Sequence, residues 1–375
     1  MNSRTNAPLD LATNTRSTSG SSRPVLPEDP RELLTALDAA VDPDLEARLV
    51  AWFATPLKVL IAAHGPGVAA AHAARFQHRV ILYAPLYVTS ACLNDCSYCG
   101  FRRSRRGRRV RLGVEEALRE ADCLATHGHR TLDLVSGEVP QDRFIDQVCE
   151  LCSRILEDTA ILRINLNLGA LSGEQFDRLR AAGAAAVHVY QETYDPATYA
   201  SVHRHGPKRD MVNRLKAPGR ALAAGFQGIG LGLLLGLAPL CSDLARLAAH
   251  ARSLRADFPA ARIGFSLPRM QTAGQDPGFV TPAPVADDDF VKAFLFLRVE
   301  FPDAHLTLTT RERPEMRDAL LPLGVTKLSA GVSTAAGGYT AGARASVHQF
   351  SIQDERPLAD ISAAILAAGL VPASH

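Results

Sequence analysis

The chain has 375 residues, 47% of them hydrophobic and 21% charged, with 41 Lys and Arg set against 39 Asp and Glu for a formal charge of +2. That length suits one large α/β barrel or two modest domains, and the near-neutral balance argues against a nucleic-acid binder or a membrane-surface protein. Seven cysteines are too few and too odd a number for a disulfide framework in a chain of this size, so a subset is expected to serve a metal or redox role.

Residues 1–29 are rich in Ser, Thr, Asn and Pro and lack the short apolar stretch of a secretion signal, which reads as a disordered tail on a cytoplasmic protein. Across the chain no apolar run reaches the roughly 18 residues a membrane span needs. Residues 30–80 carry Leu33, Leu34, Leu37 and Ala40, then Leu45, Leu49 and Trp52, and are expected to form an N-terminal helical cap over a barrel. From 81 to 340 short apolar runs alternate with helical patterns, the signature of β-α units around a parallel sheet. Strands are expected at 81–89, 131–135, 161–167, 186–190, 229–235, 262–267, 305–310 and 325–329. Helices are expected at 114–127, 142–157, 172–182, 210–224, 243–255, 287–301 and 314–321. In the second helix Ile145, Val148, Cys149, Cys152, Ile155 and Leu156 fall on one stripe, which makes the Cys149 and Cys152 pair buried packing. Eight units predict a closed (β/α)8 barrel, with 341–375 as a final loop and a helix over 358–368. Barrel sites assemble on the loops at the C-terminal ends of the strands.

The loop after the first strand reads Ala91-Cys92-Leu93-Asn94-Asp95-Cys96-Ser97-Tyr98-Cys99, a C-x3-C-x2-C spacing. Soft thiolates in so compact a loop can wrap one iron–sulfur cluster, and three thiolates on a [4Fe-4S] cluster leave one iron open for S-adenosylmethionine. A zinc site would want four protein ligands, and no fourth cysteine or paired histidine accompanies the loop.

With Tyr98 before the third cysteine, this loop resembles that of the radical S-adenosylmethionine superfamily. Tyr190-Gln191-Glu192-Thr193-Tyr194, Gly230-Leu231-Gly232 with Gly236-Leu237, Leu308-Thr309-Thr310-Arg311-Glu312 and Gly337-Gly338-Tyr339 are similar to the aromatic amino acid lyases within it. Those lyases include the tyrosine lyase of thiamin biosynthesis, tryptophan lyase and the hydrogenase-maturase tyrosine lyase. The resemblance spans roughly residues 80–370 and implies a radical SAM barrel that cleaves the Cα–Cβ bond of L-tyrosine to 2-iminoacetate and p-cresol. It implies Cys92, Cys96 and Cys99 as cluster ligands. Tyr98, Ser136, Gly137, Glu138, Asn167, Glu192, Arg214 and Leu233 are implied as cofactor contacts, with Glu138 at the amino group of S-adenosylmethionine, Arg214 at its carboxylate, an amide of the Asn165 and Asn167 pair at the ribose, and the strand-5 residues Gly230, Gly232 and Leu233 against adenine.

For the substrate, the lyases carry Ser-x-Pro-Arg-x-Arg-Pro where this chain has Ser266-Leu267-Pro268-Arg269-Met270-Gln271-Thr272. Arg269 is the expected carboxylate clamp, Arg311 part of the polar mouth, and Gln271 the position at which substrate choice departs from the tyrosine enzyme. Tryptophan or another amino acid is the alternative substrate, and a non-catalytic iron–sulfur scaffold the alternative of a different class. The last cysteine is Cys241, so the second cluster of the hydrogenase-maturase relative is not expected. Arginines crowd 102–111, a solvated face or a dock for an acidic flavodoxin or ferredoxin that reduces the cluster. A thiazole synthase is a further partner implied by the likeness. His203 and His205 read as polar loop residues with a proton-transfer role as the sharper option.

Overall fold

The computed structural model describes residues 35, 37, 39, 41–271, 278–340 and 346–374. The expected tail over 1–29, together with Leu33, Leu34, Ala40 and Thr272, lies outside the described residues.

Eight parallel strands close into a barrel: β1 (Arg79–Thr89), β2 (Thr131–Ser136), β3 (Arg163–Asn167), β4 (Ala186–His188), β5 (Gly228–Gly232), β6 (Arg262–Ser266), β7 (His305–Leu308) and β8 (Lys327–Ser329). Each pairs with the next, and β1 pairs with both β2 and β8 to complete the ring. Before β1 come α1 (Pro43–Ala54) and α2 (Leu57–Phe76). Between the strands lie α3 (Val114–Thr126), α4 (Asp142–Asp158), α5 (Gly173–Ala181), α6 (Pro196–Val202), α7 (Met211–Ala223), α8 (Leu240–Asp257), α9 (Asp287–Glu300) and α10 (Pro314–Leu320). After β8 the chain adds α11 (Leu358–Ala367) and a short β9 (Val371–Ala373), which pairs with the first residues of β1.

Local chemistry starts the helices that leave the barrel mouth. Ser172 caps α5 by accepting from the Gln175 N–H while the Gln175 side chain returns to the Ser172 N–H. Asp195 and Asp210 accept from Thr198 N–H and Asn213 N–H and so cap α6 and α7. On α4 the buried stripe is Phe144, Ile145, Val148, Leu151, Cys152 and Ile155. Cys149 and Leu156 sit at its margin, half-buried, which corrects the expectation that both thiols of this helix are interior.

The N-terminal helices do not cover the mouth. They pack on the outside of α9, where Trp52 Nε1 donates to Lys292 O at 3.0 Å and Lys292 Nζ donates to Phe53 O at 2.8 Å. Leu60 and Val68 meet Leu295, and the Phe76 ring reaches His305 at the N-terminal end of β7. The physical reason is written in α9, whose residues Phe290 to Arg298 are buried without interruption. A helix apolar all round must be covered on both faces, by the barrel within and by α1 and α2 without. Among the described residues no helix is long and apolar enough to cross a membrane.

Candidate active site

The loop from Ala91 to Phe101 is stitched to three neighbours. Leu93 N–H donates to Glu138 O after β2, Asp95 and Ser97 N–H donate to His205 O and Val202 O around α6, and Gly100 N–H donates to Gln349 O. At Gly100 a Cβ would lie 1.9 Å from His348 O, and at Gly137 one would lie 2.0 Å from Ala91 O, so these two glycines allow the backbones to meet. Held in this way, Cys92, Cys96 and Cys99 line one cavity at the C-terminal mouth of the barrel. Backbone N–H groups of Asn94 and Glu138 point at Cys92 Sγ at 3.4 and 3.3 Å, and that of Phe101 at Cys99 Sγ at 3.3 Å. Such N–H···S contacts favour thiolates bound to metal. As free thiols all three are pushed up by burial, Cys92 to about 11, so ionisation here requires a metal partner.

Tyr98 also lines the cavity. Its hydroxyl donates to His203 Nε2 at 2.8 Å, while His203 Nδ1–H donates to Tyr199 O at 2.9 Å. Burial holds His203 well below the usual imidazole range, so it stays neutral and orients Tyr98. His205 is exposed, in contact with Arg103.

Ser136, Gly137, Glu138, Asn167, Glu192 and Arg214 all face the same cavity. Glu138 is gripped by Asn94 Nδ2–H at 2.8 Å and Ala170 N–H at 3.3 Å, and Arg214 Nη1 lies 3.5 Å from its carboxylate. The α-ammonium and α-carboxylate of an amino acid are neighbouring charges, and an adjacent Glu and Arg match that spacing. Arg214 Nη1, Ser136 Oγ and Thr310 Oγ1 are buried without a hydrogen-bond partner among the described residues, donors left for a polar ligand. Glu192 has φ +75°, uncommon for a residue with a side chain, and the conformation is secured by Lys208 Nζ at 2.5 Å. Although burial opposes it, Lys208 and then Arg214 keep the Glu192 carboxyl below the ordinary range. Asn165 is committed elsewhere, donating to Asp133 at 2.6 Å, so Asn167 is the amide that reaches the mouth.

Three sequence expectations are corrected. Arg269 is not free to clamp a substrate: Nε and Nη2 bond Glu312, Nη1 bonds Asp287 and Val285 O, and the group lies over Phe290. Gln271 donates to Arg311 O at 2.7 Å and does not line the cavity. Leu233 is 1% exposed within the main hydrophobic core and does not line this cavity; a Cβ at Gly230 would meet the His188 ring deeper in the barrel, and one at Gly232 the Tyr190 ring. Arg311 is a further cation that faces the cavity beside Arg214 and Lys208, stacked 3.9 Å over Phe350 with no described carboxylate hydrogen-bonded to it. Burial lowers its pKa, while Tyr87 and Glu192 nearby favour the charged form.

Several lining residues were not anticipated. Tyr83, Pro85 and Tyr87 alternate along β1 and so face inward, a period-two signal present in the sequence. Asn94 and Lys208 carry no such signal; their place depends on the loop after α6 folding onto the cysteine loop, where Lys208 N–H donates to Asn94 Oδ1.

Comparison with known proteins agrees with this geometry. Residues 86–239 match the Radical SAM superfamily and 266–371 the Biotin and Thiamin Synthesis associated domain. The 2-iminoacetate synthase of Escherichia coli (strain K12) is 35% identical over 300 residues, covering 80% of this chain and 78% of its own, and that of Salmonella typhimurium gives the same figures. The FeFe-hydrogenase maturase HydG from Carboxydothermus hydrogenoformans superposes with a TM-score of 0.81 at 32% identity, covering 92% of this chain and 79% of that one. Methylornithine synthase, at 19% identity and a TM-score of 0.70, shares the fold. A match of this extent makes the chain a member of the radical SAM superfamily in the 2-iminoacetate synthase family, a lyase whose cofactors are a [4Fe-4S] cluster and S-adenosylmethionine.

Proposed function

We propose that the chain cleaves the Cα–Cβ bond of L-tyrosine, giving 2-iminoacetate and p-cresol. The observation that carries this reading is Arg311, a half-buried guanidinium in the wall of the cavity that the three thiols line, with no described carboxylate hydrogen-bonded to it. A planar guanidinium suits a carboxylate through two parallel hydrogen bonds, so Arg311 takes the role of substrate clamp. Cys92, Cys96 and Cys99 would hold the cluster, Glu138 and Arg214 the amino acid end of S-adenosylmethionine, and Asn167 and Glu192 its ribose. When bound, these cofactors supply hydrogen-atom abstraction. The chain's own part is to hold the substrate between Arg311 and the deeper wall, where Tyr190 and Ser266 offer polar partners to a phenol, and to exclude water behind Tyr83, Tyr87 and Phe350. Asp133 lies in the same wall with its carboxylate held at about 2, burial opposing and His188 prevailing, so it stays ionised beside that end.

A flavodoxin- or ferredoxin-type reductant and a thiazole synthase complete the proposal as partners, in the setting of thiamine biosynthesis. The test is anaerobic reconstitution, reduction with dithionite, and incubation with S-adenosylmethionine and each aromatic amino acid in turn. Tyrosine should release p-cresol together with 5′-deoxyadenosine. Release of an indole fragment from tryptophan with no p-cresol from tyrosine would move the assignment to tryptophan.

A further inference from the structure

A second cavity of about 240 Å³ lies in the barrel below the candidate active site, toward the N-terminal ends of the strands. Inward positions of a (β/α)8 barrel are ordinarily filled by bulky branched side chains. Here the paired row Ala186, Gly228, Arg262 and the row His188, Gly230, Gly264, His305 put small residues at three adjoining strands, and a hollow results.

Its charged wall is of one sign. Arg262, Arg163 and Lys327 line it and no carboxylate does. Arg262 is exposed at the first residue of β6, Arg163 half-buried at the first residue of β3, and Lys327 only 8% exposed, so the cations run from the lower mouth into the depth. Arg163 Nε bonds Asn165 and Arg262 Nη2 bonds Gln227, which leaves other donors on both guanidinium groups. The Lys327 ammonium has no hydrogen-bond acceptor among the described residues and lies 5.4 Å from the Tyr83 ring. Asp133, the carboxylate that faces Lys327, is outside this wall and is occupied by Asn165 and His188. His305 adds no charge, since burial lowers it to about 3. Asp133 is one carboxylate set against three cations, so the wall keeps an excess of positive charge, and a bound anion offsets it.

We propose that this chamber binds a small oxyanion, a carboxylate or a phosphate, held by Lys327 and Arg163 and entering past Arg262 from the end of the barrel opposite the cysteine loop. Tyr190 and Ser266 line both cavities and form the floor between them, so the site is separate from Arg311 and Arg214.

The test is calorimetric titration of the reconstituted holoenzyme with glyoxylate in one arm and inorganic phosphate in the other, on wild type, Lys327→Met, Gly264→Val and Arg311→Gln. Glyoxylate binding identifies a carboxylate site and phosphate binding a phosphate site. A charge-assisted contact makes Lys327→Met bind about 10- to 150-fold more weakly. Methionine keeps the apolar stem, so this variant should unfold no earlier than wild type without ligand. Should it misfold, Gly264→Val gives the same readout by filling the hollow, since a Cβ there stands 3.4 Å from His305. Arg311→Gln should bind as wild type does. The proposal is overturned if neither anion binds wild type at about 10 mM, if binding survives in both chamber variants, or if Arg311→Gln alone abolishes it.

Discussion

Two arginines illustrate how a single residue's partners decide its role. Arg269 follows a sequence pattern for a carboxylate clamp yet spends its donors on Glu312 and Asp287, whereas Arg311 faces the cavity with no described carboxylate hydrogen-bonded to it. The expected outcomes therefore diverge. Arg311→Gln should raise the tyrosine KM by about 10- to 150-fold, the worth of a charge-assisted contact, while uncoupled cleavage of S-adenosylmethionine persists. Arg269→Ala leaves Glu312, 2% exposed, as a buried and unpaired carboxylate, and should destabilise the fold by about 3 kcal/mol; a thermal melt reads this directly. Equal KM effects with unchanged melting would reverse the two assignments. The cysteines separate in the same way. Ala at Cys92, Cys96 or Cys99 should abolish the broad visible absorption of the reconstituted protein, and Ala at Cys149 or Cys152 should not, because those two thiols pack on α4 away from the cavity. Position in the chain singles out the three thiols that the structure brings to one cavity, since their spacing is local. It could not show that Arg269 is engaged, because Asp287 and Glu312 arrive from separate elements.

At the scale of elements, the strands were legible and their ends were not. Residues 233–235 read as a continuation of β5 because they are apolar and buried, but the ladder gives way there to isolated bridges, Glu192 with Leu233 and Leu235 with Arg269. The backbone turns into the mouth while its side chains remain in the core. The short α6 escaped notice because seven residues carry little periodicity, and β9 because a three-residue strand containing Pro372 looks like a loop. The β4 exit is fastened to α8 by Asp243, which accepts from Tyr194 N–H at 2.8 Å and Thr193 Oγ1–H at 3.1 Å. Burial nevertheless raises its carboxyl to about 6. With the folded value raised above the unfolded one, its share of stability is complete below about pH 4 and is lost as the pH rises through about 6. Asp243→Asn keeps an acceptor and removes the titration, so wild type should lose up to about 3 kcal/mol relative to the variant between pH 4 and pH 7. Urea unfolding of both proteins at pH 5, 6, 7 and 8 measures the difference, and a difference independent of pH would exclude burial of the charge as its cause.

Across the whole molecule the formal charge is only +2, so any long-range attraction for an acidic partner must come from local asymmetry. The arginine run beside the cysteine loop supplies it, though less broadly than the sequence implies. Arg102 is buried, Arg109 is half-buried and donates to the Ser90, Arg102 and Arg105 carbonyls, and Arg111 is held by Gln147 over Phe144. Those three are structural in effect, and their removal should disturb the loop that carries the thiols. Arg106 and Arg108 remain exposed with Arg103 nearby, and they are the residues that can meet a partner in solution. If the thiol loop holds the cluster as proposed, a protein donor would approach this face. Replacing Arg106 and Arg108 by Gln should slow turnover supported by flavodoxin several-fold at low salt, and should flatten the dependence of that rate on ionic strength, because exposed charges act over about 10 Å at 0.1 M salt. Turnover driven by dithionite, a small reductant that needs no docking, should stay near wild type, as should the visible spectrum of the reconstituted cluster. Equal loss with both reductants would assign the two arginines to the integrity of the loop, and an unchanged flavodoxin rate would place the docking face elsewhere.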